Sequence, residues 1–318
     1  MPISFKEDHI SQIPALLMLE KLGYTYLTPD EALALRGGNL ANVLLEPVLR
    51  KQLAAINVVQ VSSVRTTVFS EQNITAGIDA LRNIPMDEGF MEASQTVYDL
   101  LTSGKTLEQI VDGDRKSFVM QYIDWKNPRN NVFHVTEEFA VSRTGMTETY
   151  RPDIVLFVNG IPLCVIECKR PDVKDSIEQA ISQHLRNQKA DGIRSLYLYS
   201  TLLLAINRQE GSYATTATPE KFWARWREQF TDREEEARYR QELERVVNEP
   251  LLDDKLFGER FDYVHRNFED LYKQPVTPSV QDEYLYSLCR PERLLQLMYG
   301  FTLYDDGIKK VARYQQYF

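Results

Sequence analysis

The segment at residues 151–172, RPDIVLFVNGIPLCVIECKRPD, constrains the fold more than any other part of this 318-residue chain. Two strongly apolar runs meet at Asn159-Gly160, a dipeptide that favours a tight turn between antiparallel strands. Three charges gather at one end of this hairpin, because Asp153 opens the first run and Glu167 and Lys169 close the second. These charges have to be explained either by a function or by solvent at the strand ends.

The segments around the hairpin predict an α/β fold, with a mixed β-sheet flanked by helices. The first hundred residues are predicted to be helical, with apolar faces at 13–22, after a cap at Asn42, and at 89–104. β-Branched and aromatic residues then predict strands, followed by one helix and two further strands. In chain order these are the strands SFVMQYIDW, NVFHVTEEFAVS, DIVLFV and IPLCVIECK, the helix KDSIEQAISQHLRNQ, and the strands LYLYS and LLLAINR.

The part of the chain after Pro219 is predicted to be helical and strongly charged. The stretch KFWARWREQFTDREEEARYRQELERVV is typical of a solvated helix with ion pairs between residues i and i+4. The segment KQPVTPSVQDE, which contains two prolines, is the predicted linker.

Composition and charge indicate an ordinary soluble protein of the reducing cytoplasm. Hydrophobic residues make up 43% of the chain, enough for a core, and the three cysteines show neither disulfide nor metal spacing. We find no signal peptide, and the longest apolar run, near 196–206, is too short to span a bilayer. The formal net charge of -9 argues against a protein that only binds nucleic acid.

The turn length decides whether the three charges meet. Glu167 and Lys169 are two residues apart in a strand and therefore share a face. A two-residue loop would place Asp153 opposite residue 166, with its side chain on the other face. A three-residue loop or a one-residue bulge would place Asp153 opposite Glu167. If these residues act together, the simple hairpin register must be broken.

Two carboxylates on directly opposed positions, about 5 Å apart, would repel by roughly 3 kcal/mol at an effective dielectric of 20. Either one carboxylate is protonated, or a cation lies between them. Oxygen ligands suit Mg2+, or Mn2+ in its place, with the Cys168 carbonyl as a third ligand. Lys169 could then hold a phosphate oxygen or orient a water molecule, as in phosphodiester hydrolysis. Spacing alone leaves this site and an ordinary charged strand end both open.

The same residues resemble the PD-(D/E)xK nuclease motif, with RPD followed by ECK. Three longer blocks resemble the N-terminal region of the restriction (motor) subunit of type I restriction enzymes. They are YIDWKNPRNNVFHVTEEFAV, RPDIVLFVNGIPLCVIECKRP and YSTLLLAINRQEGSYATTATPEKFWARW, and they cover most of residues 92–226 in the family's order. The resemblance implies a restriction-endonuclease-like core followed by a helical segment.

The resemblance assigns roles residue by residue. Asp153 and Glu167 match the metal-binding acids, and Lys169 matches the catalytic lysine. Gln183 matches the first position of a Gln-x-x-x-Tyr element, but Asn187 stands where that element has tyrosine, which puts the role of the element in doubt.

Two further residues are candidates by the same resemblance. Relatives of this nuclease fold often use an acid from an early helix, for which Glu20 is the candidate. The end of the chain resembles the glutamine element that precedes a motor's first phosphate loop. Gln316 would read adenine there, so nucleotide binding and ATP are expected only in a longer chain that contains the motor.

The resemblance predicts an endonuclease domain at 1–265, with a helical N-terminal part. A linker and the start of a truncated helicase-like motor are predicted at 266–318. The expected function is Mg2+-dependent hydrolysis of duplex DNA, in a complex with methyltransferase and specificity subunits and without a membrane. One alternative is a catalytically idle nuclease fold that tethers a motor to its complex. Another is a DNA-binding domain without chemistry.

Overall fold

The computed structural model describes residues 11–62, 64–250, 255–258, 260, 262–271 and 273–318. The helices in the N-terminal and central parts are α1 (Ile13–Lys21), α2 (Pro29–Ala34), α3 (Glu46–Ile56), α4 (Glu71–Arg82), α5 (Phe90–Ser103), α6 (Ser176–Asn187) and α7 (Arg194–Tyr197). The helices that follow are α8 (Arg233–Val247), α9 (Lys255–Gly258), α10 (Asp262–Leu271), α11 (Val280–Cys289), α12 (Pro291–Gly300) and α13 (Tyr314–Tyr317).

The strands before the central hairpin are β1 (Thr25–Leu27), β2 (Val58–Ser62), β3 (Arg65–Val68), β4 (Lys105–Val111), β5 (Asp114–Met120), β6 (Phe133–Glu137), β7 (Val141–Ser142) and β8 (Thr149–Tyr150). The hairpin and the later strands are β9 (Ile154–Val158), β10 (Ile161–Cys168), β11 (Leu202–Ile206), β12 (Gly211–Ala214), β13 (Thr302–Asp305) and β14 (Ile308–Val311).

A mixed six-stranded sheet, in the order β1-β6-β9-β10-β11-β12, forms the centre of the fold. Strand β9 pairs antiparallel with both β6 and β10, and β12 pairs antiparallel with β11. At the other two junctions, β1 pairs parallel with β6 and β11 pairs parallel with β10. The predicted α/β class with a mixed sheet and flanking helices is confirmed. Every residue of β9, β10 and β11 is buried, so helices and loops cover the sheet on both faces.

Helix α6 makes the crossover between the parallel strands β10 and β11. Its apolar side, which includes Ile177, Ala180 and Ile181, is buried at helical spacing and packs with Ala205 of β11. The opposite, polar side of α6 therefore faces away from the sheet, alongside the charged end of the hairpin.

Three sequence predictions are corrected by the structure. The segment LYLYS is not a strand, because Arg194–Tyr197 is the short helix α7. The charged helix begins only at Arg233, capped by Asp232. The preceding segment has a short 3-10 turn at Glu220–Phe222 and a single bridge from Ala224 to Tyr213, and is otherwise irregular. Asn42 does not cap α3, which starts at Glu46 after Leu45.

The C-terminal part packs on the same core as the sheet. The Tyr284 hydroxyl donates to the Gly211 carbonyl at 2.6 Å, and the Tyr24 hydroxyl donates to the Cys289 carbonyl at 2.7 Å. The proposed boundary between 265 and 266 stays a prediction, and the predicted first domain includes residues 1–10 and 251–254, which lie outside the described part. No helix within the described ranges is long and apolar enough to cross a membrane.

Candidate active site

The hairpin register is broken by one residue, as the functional hypothesis required. Asn159 and Gly160 both have positive φ, +53° and +84°, as a tight two-residue turn with a right-handed strand twist needs. The turn pairs residue 158 with 161 and 157 with 162, but the next pair is 156 with 164. Leu163 is therefore the extra residue of a bulge. Beyond it, 154 pairs with 166, which brings position 153 opposite position 167.

The bulge brings the three charged side chains together. Asp153 Oδ2 accepts a hydrogen bond from the Cys168 amide at 2.7 Å and lies 3.6 Å from Lys169 Nζ. Lys169 Nζ also donates to the Cys168 carbonyl at 3.0 Å. The Lys169 amide is tied to the Ile206 carbonyl of β11 at 2.9 Å, which fixes the point where its side chain leaves the sheet.

The electrostatics of the pair favour a proton or a cation. Glu167 is completely buried, and burial raises the pKa of its carboxyl well above the usual range. The charge of Asp153 and a hydrogen bond to its side chain raise the Glu167 pKa further, while Lys169 opposes the shift. Without a cation, burial and the Asp153 charge therefore favour the protonated form of Glu167.

The donors present fit a hard divalent cation. Two carboxylates and the Cys168 carbonyl are all oxygen ligands, as Mg2+ and Mn2+ prefer. Over the described ranges, no group of three or more His, Cys, Asp and Glu side chains is arranged to hold a metal. The remaining positions would therefore be filled by water, which Mg2+ keeps readily.

A second layer of neutral side chains surrounds Glu167. Gln183 Nε2 donates to Glu167 Oε2 at 2.6 Å, so the sequence-predicted glutamine does contact the site. Asn187 Nδ2 lies 3.5 Å from Glu167 Oε1 and 3.4 Å from the Tyr197 hydroxyl. Tyr197 was missed by sequence reasoning, because its segment was predicted to be a strand. The only signal available was a tyrosine close in sequence to Asn187.

Gln12, at the start of α1, was also missed. Its Nε2 donates to Glu137 Oε2 at 2.9 Å and to the Asp153 carbonyl at 3.4 Å. The Glu138 amide donates to the same carbonyl at 3.0 Å. These bonds fix the backbone at Asp153 from the side opposite β10. Buried and hydrogen-bonded, Gln12 acts on the backbone of the site and not on its carboxylates.

The other two predicted residues, Glu20 and Gln316, lie on helices α1 and α13. Glu20 lies near the C-terminal end of α1, eight residues beyond Gln12 or roughly 12 Å along the helix axis. Gln316 caps its own short helix, where its Oε1 accepts from the Arg313 amide at 2.8 Å. Functional roles for both stay predictions.

An open groove of about 660 Å3 runs from Lys169 along the polar side of α6 as far as Lys189. Arg186 lies in this groove with its guanidinium 4.6 Å from the centre of the Tyr150 ring. Within the described part of the chain, no carboxylate is within ion-pair distance of Arg186. The groove thus offers a solvent-open path to the three charged residues, lined by the cations Lys169, Arg186 and Lys189 and by the carboxylates of Asp175 and Glu178.

Comparison with known proteins identifies relatives of the whole chain. The family described as type I restriction enzyme R protein N terminus matches residues 4–222. A Haemophilus influenzae protein named type I restriction enzyme HindI endonuclease subunit is 25% identical over 98% of this chain and 26% of its own length. A Methanocaldococcus jannaschii protein that carries the name of a MjaIXP endonuclease subunit is 26% identical over 98% of this chain and 27% of its own length.

A second Methanocaldococcus jannaschii protein, which carries the name of a MjaVIIIP endonuclease subunit, is 29% identical over 54% of this chain and 15% of its own length. The chain spans about a quarter of the length of the two relatives that match nearly all of it. The family match covers both strands of the hairpin and all of α6. The chain therefore belongs to the family of type I restriction enzyme R protein N termini.

Proposed function

We propose that this chain is the nuclease part of a type I restriction subunit and hydrolyses phosphodiester bonds of duplex DNA with Mg2+. The observation that carries the proposal is the bulge at Leu163, which brings Asp153 and Glu167 opposite each other with Lys169 alongside. The simple two-residue hairpin register would instead have placed Asp153 and Glu167 on opposite faces of the sheet. The family and the names of the relatives support the same assignment.

Each side chain of the site has its own role in the proposed hydrolysis. Asp153, Glu167 and the Cys168 carbonyl would hold the cation, which when bound polarises the phosphate and lowers the pKa of the attacking water. Lys169, which contacts Asp153 and also lines the groove, would donate to a phosphate oxygen or orient the water. Its amine already contacts two acceptors, Asp153 Oδ2 and the Cys168 carbonyl, so it needs only to exchange one of them for the substrate.

The groove beside α6 is the proposed approach for the DNA backbone. Arg186 and Lys189 add positive charge near Lys169, although the whole chain is acidic. Local charge of this kind attracts phosphates without reading bases. Target recognition would therefore come from specificity and methyltransferase subunits, and ATP would be used only by a longer chain that contains the motor.

The first test is a calorimetric titration of Mn2+ into the chain and into Asp153→Ala and Glu167→Ala. We expect one site in the wild type and an affinity at least a hundredfold lower in both variants, because each removes a charged ligand. Glu178→Ala is the matched control, since it removes an exposed carboxylate that lines the same groove. It should bind Mn2+ like the wild type.

Mn2+ binding that is the same in all four proteins would contradict the metal site. The absence of binding in the wild type would contradict it too, and would favour a nuclease fold that only tethers a motor to its complex. Cleavage is the weaker first assay, because cutting in the family is tied to translocation by the longer subunit.

A further inference from the structure

A chain of hydrogen bonds leads from Glu167 to the backbone of β11 through three fully buried side chains, Asn187, Tyr197 and His184. His184 Nε2 lies 2.9 Å from the Leu204 carbonyl. A carbonyl only accepts, so Nε2 carries the ring proton. Burial lowers the pKa of His184 to about 4, which leaves the ring neutral at pH 7 and Nδ1 an acceptor.

The direction of the next bond follows from that tautomer. The Tyr197 hydroxyl lies 3.0 Å from His184 Nδ1 and must donate its single proton there. The hydroxyl oxygen is then left as an acceptor only, and the group within reach is the Asn187 amide nitrogen at 3.4 Å. The Leu204 carbonyl of β11 thus sets the hydrogen-bond direction at His184, at Tyr197 and at Asn187 in turn.

The amide of Asn187 is oriented from both sides. Its nitrogen faces the Tyr197 oxygen and Glu167 Oε1, while its oxygen accepts from the Arg186 guanidinium at 3.3 Å. A flipped amide would present its oxygen to two oxygen atoms, one of which is a carboxylate. The contacts of 3.4 and 3.5 Å are long, so the amide is held by the set of partners together and not by any one of them.

We propose that Tyr197 is a positioning residue for Glu167, which acts through Asn187. The Tyr197 hydroxyl keeps an N–H of Asn187 directed at Oε1, while Gln183 donates to Oε2, so that the carboxylate keeps one orientation towards Asp153. The inference rests on the proposed function, because Glu167 is a metal ligand only there. Tyr197 reaches this place because α7 is a helix, and its ring is completely buried.

Tyr197→Phe tests the role, since it removes the hydroxyl and keeps the ring. The Nδ1 of His184 then loses its donor, and the Asn187 amide is free to turn. We expect the Mn2+ affinity measured by calorimetry to fall at least tenfold, as is typical when a partner of a metal ligand is lost. The melting temperature, followed by circular dichroism, separates this effect from a loss of folding.

Tyr199→Phe is the matched control. Tyr199 is also buried, lies two residues further on, and loses an equivalent bond to a backbone carbonyl, that of Leu81 at 2.9 Å. We expect a similar loss of thermal stability but a Mn2+ affinity within twofold of the wild type. If both variants weaken Mn2+ binding equally, or if neither does, the positioning role is wrong.

A double variant tests whether Tyr197 acts through Asn187. Asn187→Ala should weaken Mn2+ binding as much as Tyr197→Phe does, and the double variant should be no weaker than Asn187→Ala alone. Fully additive losses would overturn the proposed route. Asn187→Ala also replaces Tyr197→Phe as the test if the latter does not fold. A wild type without Mn2+ binding contradicts the metal site, whereas normal binding by Tyr197→Phe contradicts only the positioning role.

Discussion

Glu167→Gln is expected to abolish Mn2+ binding and, at the same time, to stabilise the metal-free protein above pH 5. The reason is the buried carboxyl, whose pKa is raised well above its usual range by burial and by the neighbouring Asp153 charge. Glutamine has nearly the same shape and remains neutral. Its NH2 can donate to Asp153, but it replaces a carboxylate oxygen that accepts from Gln183 or Asn187, so one of these two amides has to turn.

The direction in which the stability of the two proteins diverges with pH follows from which state, folded or unfolded, binds more protons. The unfolded chain releases this proton near the ordinary glutamate pKa of about 4.3, whereas the folded chain keeps it to higher pH. Between these two values the folded state binds more protons, so the free energy of unfolding of the wild type falls as pH rises. The glutamine variant lacks this loss, and its advantage should grow by up to about 1.4 kcal/mol per pH unit in that window.

Urea unfolding in EDTA at pH 4, 6 and 8 measures the difference. At pH 4 both proteins should be about equally stable, and at pH 8 the variant should be the more stable one. Glu178→Gln is the control, because it removes the same charge from an exposed position on α6. A Glu167→Gln protein that is less stable than the wild type at pH 8 would show that the carboxylate is charged and well paired without a metal.

Much of the site could be predicted because its chemistry lies in a short stretch. The Asn159-Gly160 turn and the three charges lie close together in the sequence. Because the simple two-residue register would separate Asp153 from Glu167, a shared site already predicted a bulge or a longer loop. The bulge had a sequence signal in Pro162, which has no amide proton for the ladder. Proline inside a sheet is confined to edges, first positions and bulges, and Leu163 is the residue that follows it.

Apart from Gln183, the residues around the carboxylates could not be predicted, because Tyr197 and Gln12 reach the site only through tertiary packing. Leu196–Ser200 is buried on all sides, so its apolar pattern has no period that separates a strand from a helix. The β-propensity of Tyr197 and Tyr199 then favours a strand, which is the wrong element. Gln12 reaches Asp153 only because α1 packs across the sheet, 141 residues away in sequence.

The C-terminal hairpin of β13 and β14 leads to the second prediction, that wild-type stability rises from pH 7 to pH 10 through Lys309. This lysine is buried, and its amine donates to the Ser200 carbonyl at 3.1 Å and to Thr201 Oγ1 at 3.3 Å. Within the described part of the chain, no carboxylate is within ion-pair distance of it. Burial lowers the pKa of Lys309 to about 7.

Because the unfolded chain binds this proton up to the ordinary lysine pKa of about 10.4, it holds more protons than the folded chain between pH 7 and 10. The free energy of unfolding therefore rises with pH in that range. Lys309→Met removes the charge and keeps most of the length of the side chain. It should be more stable than the wild type by a few kcal/mol at pH 7, with an advantage that shrinks towards pH 10.

Urea unfolding at pH 7, 8.5 and 10 measures the free energy of unfolding of the wild type and of Lys309→Met. The difference between the two values reports on Lys309 alone, because the other titrating groups are the same in both proteins. Lys310→Met is the control, because the next residue is half exposed and paired with Asp305. It should change neither the stability nor its pH dependence by more than about 0.5 kcal/mol. A constant difference between Lys309→Met and the wild type across this range would mean that Lys309 keeps its proton in the folded state. The amine would then hold the C-terminal hairpin to the loop after α7 as a cation, with the two oxygens at Ser200 and Thr201 as sufficient partners.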